Sequence, residues 1–340
     1  MGDALELYDF SHMADLVRRD HPALQAVMLK QDGIYQKRQL KVETLMADIA
    51  RRLDAGWRAR DRDDLPMIIY AWGKARVGST ALTNLFGVAG LPAYYQPVKA
   101  IARQVLMGQD GAPWTVPSRR LHPAIFAKET AGPYSLAECL YMPLQALIEA
   151  GYPADKLQLI MLDRSPADSL ASWIDKLSGR LSVARLERHH ILASLNGIRV
   201  EAQARAAGVP ITHYVYEASR DPIRAAQILF QRLGLGGRFT AAAVTDWQGM
   251  GNLESAECRV IYPVEPDIFD VPGLHGADTA YGYRDRRKSA PTEAQTALMA
   301  EFGLDSLYRA SVTACSAELG YDLAAPVEPL QRDRFQEVAA

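Results

Sequence analysis

The chain has little of what would staple, anchor or charge it. Three cysteines in 340 residues, Cys139, Cys258 and Cys315, lie far apart and form no C-x-x-C pair, which excludes a disulfide framework and argues against a zinc site. No apolar run approaches the roughly 18 residues of a membrane span. An excess of one charge is missing too: 38 basic against 40 acidic residues leave a formal charge of −2. No global positive field therefore draws in nucleic acid or an anionic membrane, and any anion site has to be built locally. The amino terminus, MGDALELYDF, has no basic region of the kind that opens a signal peptide, and Glu6 stands where a myristoylation motif needs Ser or Thr. Internal repeats and low-complexity segments are absent. These absences predict a cytoplasmic globular enzyme with no membrane span and no nucleic-acid partner.

What is present is material for a core: 49% of the residues are apolar and 23% charged. The length suits one large domain or two small ones, at roughly 100–200 residues each. Residues 1–64 differ from the rest. Val42, Leu45, Met46, Ile49, Leu53 and Trp57 recur at helical spacing, as one apolar stripe. The mixed-charge run RRLDAGWRARDRDD around the end of this stripe closes at Leu65-Pro66 and reads as a solvated face. The expectation is an N-terminal helical extension over 1–64 that packs on the main domain; its functional readings are a lid or a dimer arm, the second implying a homodimer. The main domain then covers 65–325, and 326–340 form a C-terminal tail.

From residue 67 short apolar runs alternate with helical stretches. MIIYA (67–71), AIFA (124–127), LQLIML (157–162) and ITHYVY (211–216) read as buried strands. Stretches 80–89, 134–150, 166–177, 185–206 and about 292–319 read as helices. Buried strands alternating with helices imply right-handed βαβ units, hence a three-layer α/β fold with a central parallel sheet. Ligands in such sheets bind beyond the carboxyl ends of the strands.

Two motifs fall there. The first strand runs into Gly73-Lys74-Ala75-Arg76-Val77-Gly78-Ser79-Thr80, after which a helix begins. This is the frame of a phosphate-binding P-loop, in which backbone N–H groups and the helix N-terminus make a concave anion site. Ser79 occupies the place of the usual phosphate-clamping lysine, and the positive charge has moved into the loop as Lys74 and Arg76. That shift argues against a triphosphate and for a shorter anionic group. The third strand leads into Arg164-Ser165-Pro166-Ala167-Asp168 and on to Ser172. Ser165 and Asp168 have the spacing of a capping box and Pro166 falls at the first helical position, so a helix starts here. Arg164, one residue before the cap, can join the helix end in holding a second anion.

Together the motifs resemble those of the sulfotransferases that use 3′-phosphoadenosine 5′-phosphosulfate (PAPS). That family's first loop reads like RSGTT or KSGTT, here Arg76-Val77-Gly78-Ser79-Thr80; its second signature reads R-D-P-R-D-x-x-x-S, here Arg164 through Ser172. Tyr216-Glu217, then Asp221-Pro222 and Leu233-Gly234-Leu235, are similar to a third family stretch, and Leu319-Gly320-Tyr321 to its closing helix, so the resemblance spans about 67–321. It implies a P-loop-type fold and transfer of the PAPS sulfuryl group to a hydroxyl of a small-molecule, lipid or carbohydrate acceptor, leaving 3′,5′-adenosine bisphosphate (PAP). It also implies that Arg76, Gly78, Ser79 and Thr80, with Lys74 and Val77 of the same loop, hold the 5′-phosphosulfate. Arg164 and Ser172 would hold the 3′-phosphate, and Tyr216 would line the nucleotide pocket. The aromatic residue that often follows the loop and stacks on adenine is Ala81 here. For the late basic loop, Tyr283-Arg284-Asp285-Arg286-Arg287-Lys288 is the candidate, with Arg287 its nucleotide contact.

Sulfuryl transfer needs positioning, charge stabilisation and a base for the acceptor hydroxyl. No metal is required if Arg76 and the loop amides neutralise the bridging oxygen. The strand AIFA ends in Lys128-Glu129-Thr130, at the family's position for a lysine closely followed by histidine; the histidine is absent, and Glu129 is the nearest proton acceptor. Gln96, in Tyr95-Gln96-Pro97, replaces a carboxylate of a second family pattern and cannot act as a base. His122, His189 and His190 remain candidates. Two other readings stay open: a P-loop kinase-like phosphotransferase with Asp163 and Thr80 on magnesium, and a non-catalytic nucleotide-binding module.

Overall fold

Ile68, Tyr70 and Trp72 enter one apolar layer while Ile69 and Ala71 enter another. A strand buried on both faces has to sit inside a sheet covered by helices on either side. The structure, a computed structural model, describes residues 9–29, 39–247, 260–261, 279–284 and 290–323. The chain opens with α1 (Phe10–Arg18), an antiparallel ribbon of β1 (Met28–Leu29) and β2 (Leu40–Lys41), and α2 (Val42–Asp54). Then come β3 (Met67–Lys74), α3 (Ser79–Val88), β4 (Ala93–Tyr95), α4 (Pro97–Leu106), β5 (Ala124–Ala131), α5 (Leu136–Leu140), α6 (Pro143–Glu149), β6 (Leu157–Asp163), α7 (Pro166–Leu177), α8 (Val183–Ala206), β7 (Ile211–Val215), α9 (Pro222–Arg232) and α10 (Ala242–Thr245). A two-residue strand, β8 (Val260–Ile261), precedes α11 (Glu293–Glu301) and α12 (Leu304–Leu319). The main sheet has the order β7-β6-β3-β5-β4-β8, and all its pairings are parallel.

The two apolar layers make the fold three-layered. Helices α4, α5, α7 and α8 cover one face, and α3, α9 and α12 the other. The chain leaves β3 toward the α3 face and leaves β6 toward the α7 face. Because these neighbouring strands send their connections to opposite sides, a crevice opens between their carboxyl ends, where α/β sheets bind ligands.

Several boundaries differ from the expectation. The helix read over 134–150 is two, because Pro143 lacks the N–H that would continue the first. The one read over 292–319 breaks at Gly303, whose φ is +69°. The strand read as 124–127 continues to Ala131, and β4 and α4 fall within a stretch read as loop. The helical extension packs instead of capping anything. Val42, Leu45, Met46, Ile49 and Leu53 of α2 are buried in the same core as Val98, Ile101 and Val105 of α4, and Trp57 Nε1 donates to the Ala150 carbonyl at 2.8 Å. Each such buried side chain contributes about 1.5–3 kcal/mol relative to an exposed one. The break at 64–65 therefore separates two stretches of chain and not two cores, and among the described residues before 65 none lines the cavity described below, which overturns the lid reading. The expected tail, 326–340, lies outside the described residues. Among the described residues no helix is long and apolar enough to cross a membrane.

Candidate functional site

A cavity of about 240 Å³ runs along the carboxyl edge of the sheet, and its lining follows the strand order. Tyr216 comes from the end of β7, Arg164 from the end of β6, and Arg76, Gly78, Ser79 and Thr80 from the β3–α3 loop; Lys128 and Thr130 come from β5, and Tyr95, Gln96, Lys99 and Arg103 from β4 and α4. Helix α7 adds Asp168, Ser172, Asp175 and Lys176 along one side.

The loop geometry explains its glycines. A Cβ on Gly73 would lie 2.3 Å from the Leu162 carbonyl oxygen, so β3 and β6 approach closely only with glycine there. Gly78 has φ +80°, and a Cβ on it would meet the Tyr216 ring at 2.4 Å. Among the described residues, none accepts a hydrogen bond from the N–H groups of Gly78, Ser79, Thr80 or Ala81, so the first turn of α3 presents bare donors to the cavity. Arg76 is also in the left-handed region, at φ +70°, a conformation that costs a non-glycine residue about 1–3 kcal/mol. That backbone aims its guanidinium across the crevice, where Nε donates to Ser172 Oγ at 3.0 Å.

The second motif folds as its sequence dictates. Ser165 caps α7 by accepting from the Asp168 N–H, with Pro166 at the first helical position. Arg164 is 8% exposed, donates from Nη1 to the Arg76 carbonyl at 3.2 Å, and lies 4.6 Å above the Tyr216 ring. Its Nε is buried and has no hydrogen-bond partner among the described residues. Burying a guanidinium donor unmet is costly, so this atom marks a place for an acceptor. The Tyr216 hydroxyl accepts from the Arg284 N–H at 3.0 Å and donates to the Arg284 carbonyl at 3.3 Å, which draws the start of the late basic loop to the cavity. Arg287 itself lies outside the described residues.

Three expected site residues lie elsewhere. Lys74 is buried and ion-paired with Asp163, away from the cavity lining. Val77 packs its side chain in the α3-side core, leaving only its backbone to the loop. Glu129 is corrected as the base. Side chains alternate along β5, so Lys128 and Thr130 line the cavity and Glu129 points to the opposite face. There it is fully buried. Its Oε1 accepts from the Val98 N–H at 2.6 Å, and its Oε2 from the Lys99 N–H at 3.1 Å and the Tyr141 hydroxyl at 3.0 Å. It is the N-terminal anchor of α4. Burial pushes its carboxyl up to about 7 despite these donors. The histidines fare no better: His189 and His190 are fully buried on α8, and neither they nor His122 lines the cavity. His190 sits against Ser169 Oγ at 2.9 Å, and burial holds its pKa well below the ordinary range. Among the described residues, the carboxylates that do line the cavity are Asp168 and Asp175.

The sequence reading missed the α4 wall. Lys99 and Arg103 are buried and both pair with the buried Glu138, at 3.3 Å and 2.8 Å. Gln96, rejected as a base, is the N-cap of α4 at φ +53° and donates from Nε2 to Thr130 Oγ1 at 2.6 Å. Pro97 followed by Val98, Ile101, Ala102 and Val105 at helical spacing was the available signal.

No family model, no curated protein and no solved structure matches the chain.

Proposed function

We propose that this protein is a PAPS-dependent sulfotransferase with a P-loop-type sheet, which moves the sulfuryl group of PAPS to the hydroxyl of an acceptor. The observation that carries the reading is Arg164. Its buried, unpartnered Nε faces the cavity at the cap of α7, next to the bare amide turn of α3 across the crevice. Two anion-holding constructions on adjacent strand ends suit a nucleotide with phosphate on both sides of its ribose. Tyr216, under Arg164 and over Gly78, supplies an aromatic face between them.

In the reaction the bond from sulfur to the bridging oxygen of the phosphosulfate breaks, and a bond from sulfur to the acceptor oxygen forms. Negative charge grows on the leaving phosphate, where Arg76 and the loop amides act, and Lys128 stands on the acceptor side of the loop. The hydroxyl proton leaves to a base other than Glu129; Asp168 and Asp175 are the carboxylates with access to the cavity. The kinase alternative is disfavoured by Asp163. Its Oδ1 is engaged by Lys74 and the Arg164 N–H, and its Oδ2 accepts from Ser311 Oγ at 2.9 Å, so its lone pairs already serve the fold.

A thermal-shift comparison tests the reading. PAP at about a hundred times its dissociation constant should add about 2.7 kcal/mol of stability without magnesium. Stabilisation by magnesium-ATP alone, with none from PAP, rejects it.

A further inference from the structure

The cavity divides along the sheet. The amide turn, Arg76 and Arg164 occupy its β3, β6 and β7 end, whereas the β5 and β4 end is walled by α4. This second half carries no bare amide turn among the described residues, yet it is rich in buried cations. Lys99, Arg103 and Lys128 are 1%, 4% and 2% exposed, and all three line the cavity. Lys99 and Arg103 are one helical turn apart on one face of α4, and Glu138 pairs with both from outside the lining. Lys99 further donates to the carbonyls of Thr130 and Gly132, which fixes its ammonium as a source of field. Arg103 is held by Glu138 at Nε and stands 5.6 Å from the centre of the Tyr134 ring. Its guanidinium plane is thereby pinned between a carboxylate and an aromatic face. The Lys128 ammonium rests 3.7 Å from the centre of the Tyr95 ring.

Buried cations are retained where charges of the opposite sign meet them. Three buried cations on this wall face two buried carboxylates, Glu138 and Glu129, and burial holds Glu129 partly protonated near neutrality. The surplus is positive, in a chain whose formal charge is −2. A pre-oriented guanidinium is also the group best shaped to take an anion bidentately.

Resting on the sulfotransferase reading, we infer that the acceptor carries an anionic group, a carboxylate or a phosphate, beside the hydroxyl it presents for sulfuryl transfer, and that Arg103 on α4 binds that group in the field of Lys99 and Lys128. The acceptor is thus a small hydroxy acid, an acidic sugar or a sugar phosphate, and not a lipid alcohol or a neutral phenol. Arg103 acts in specificity.

The test titrates matched probes into the PAP-saturated protein by calorimetry: 4-hydroxyphenylacetate against 4-hydroxyphenylacetamide, and glucuronate and glucose 6-phosphate each against glucose. The inference predicts that at least one anionic probe binds tenfold or more tightly than its neutral partner, and the glucuronate and glucose 6-phosphate arms tell carboxylate from phosphate. Arg103→Gln should bring the ratio to within twofold and leave PAP affinity unchanged. Arg103→Lys keeps a cation for Glu138 and loses the planar fork, so it serves if Arg103→Gln does not fold; it should reduce the ratio at least threefold. Tight PAP binding with no anion preference in any pair, including no probe binding at all, overturns the inference and spares the sulfotransferase reading. An anion preference unchanged in both Arg103 variants also overturns it. Failure of PAP itself to bind removes the reading on which the inference stands.

Discussion

Arg76 Nε donates to Ser172 Oγ at 3.0 Å across the crevice between β3 and β6. This bond joins residues 96 positions apart in sequence and links the phosphate loop to the helix that follows Arg164. The return contact, Arg164 Nη1 to the Arg76 carbonyl at 3.2 Å, makes the link reciprocal. Ser172, which the resemblance assigns to the 3′-phosphate beside Arg164, is therefore also the residue that orients Arg76.

Arg76 combines a strained backbone with an aimed cation, and two substitutions separate them. Arg76→Ala should lower turnover by about 10²–10³ with little loss of PAP affinity, since its charge acts mainly on the leaving oxygen in the transition state. Arg76→Gly should lose as much turnover while raising the melting temperature, because glycine adopts φ +70° without strain. Wild-type turnover at saturation in either variant contradicts the assignment.

Lys74 predicts the reverse pattern. Its ion pair with Asp163 ties the end of β3 to the end of β6, and Asp163 also holds Ser311 of α12. Lys74→Met should cost about 3 kcal/mol of stability, the low end for a broken buried pair because Asp163 is partly exposed, and should leave PAP affinity unchanged. Calorimetric unfolding and a PAP titration check this; a variant of normal stability with weakened PAP binding would return Lys74 to the nucleotide site.

Glu129 holds α4 in place, so Glu129→Gln should act on stability. A Gln amide can satisfy only part of the Val98, Lys99 and Tyr141 donor set, for a loss of about 1–3 kcal/mol. The pH dependence has a definite sign. The folded-state pKa, about 7, lies above the ordinary 4.5, so the wild type loses stability as pH rises from about 4.5 to about 7. Glu129→Gln should lack that fall. Chemical denaturation at pH 5, 6, 7 and 8 measures it, and parallel curves for the two proteins would contradict the assignment.

How much of this was legible in the sequence follows from the range of the forces involved. The cap at Ser165-Pro166 and the strand–loop–helix around Gly73 and Gly78 are local, and local chemistry reads directly. Glu129 was misread for a nearby reason. A strand taken to end at Ala127 leaves Lys128 and Glu129 both at liberty, whereas a strand running to Ala131 puts them on opposite faces. The Lys74–Asp163 pair and the Lys99–Glu138–Arg103 cluster depend on elements brought together only by the sheet order, which no window of residues contains.

His213 offers a check of the fold away from the site. It sits on β7 between Glu201 of α8 and Glu318 of α12, at 3.5 Å and 2.8 Å, with Arg205 and Arg232 pairing the same two carboxylates. Glu201, then Glu318, raise its pKa to about 9 from 6.5. Its contribution to stability is therefore full below about 6.5 and lost as pH rises through about 9. His213→Gln should flatten the wild-type stability profile over that window; an unchanged slope would show that the triad does not form.

The central claim is that Arg164 marks a 3′-phosphate site, and calorimetry on two proteins with two nucleotides tests it most directly. Hydrogen bonds to charged groups contribute roughly 1.5–3 kcal/mol, equivalent to about one to two orders of magnitude in affinity. The wild type should prefer PAP over 5′-AMP by about that factor, and Arg164→Ala should erase most of the preference while its 5′-AMP affinity changes little. Equal wild-type affinity for the two nucleotides, or an Arg164→Ala protein that still discriminates between them, would contradict the account.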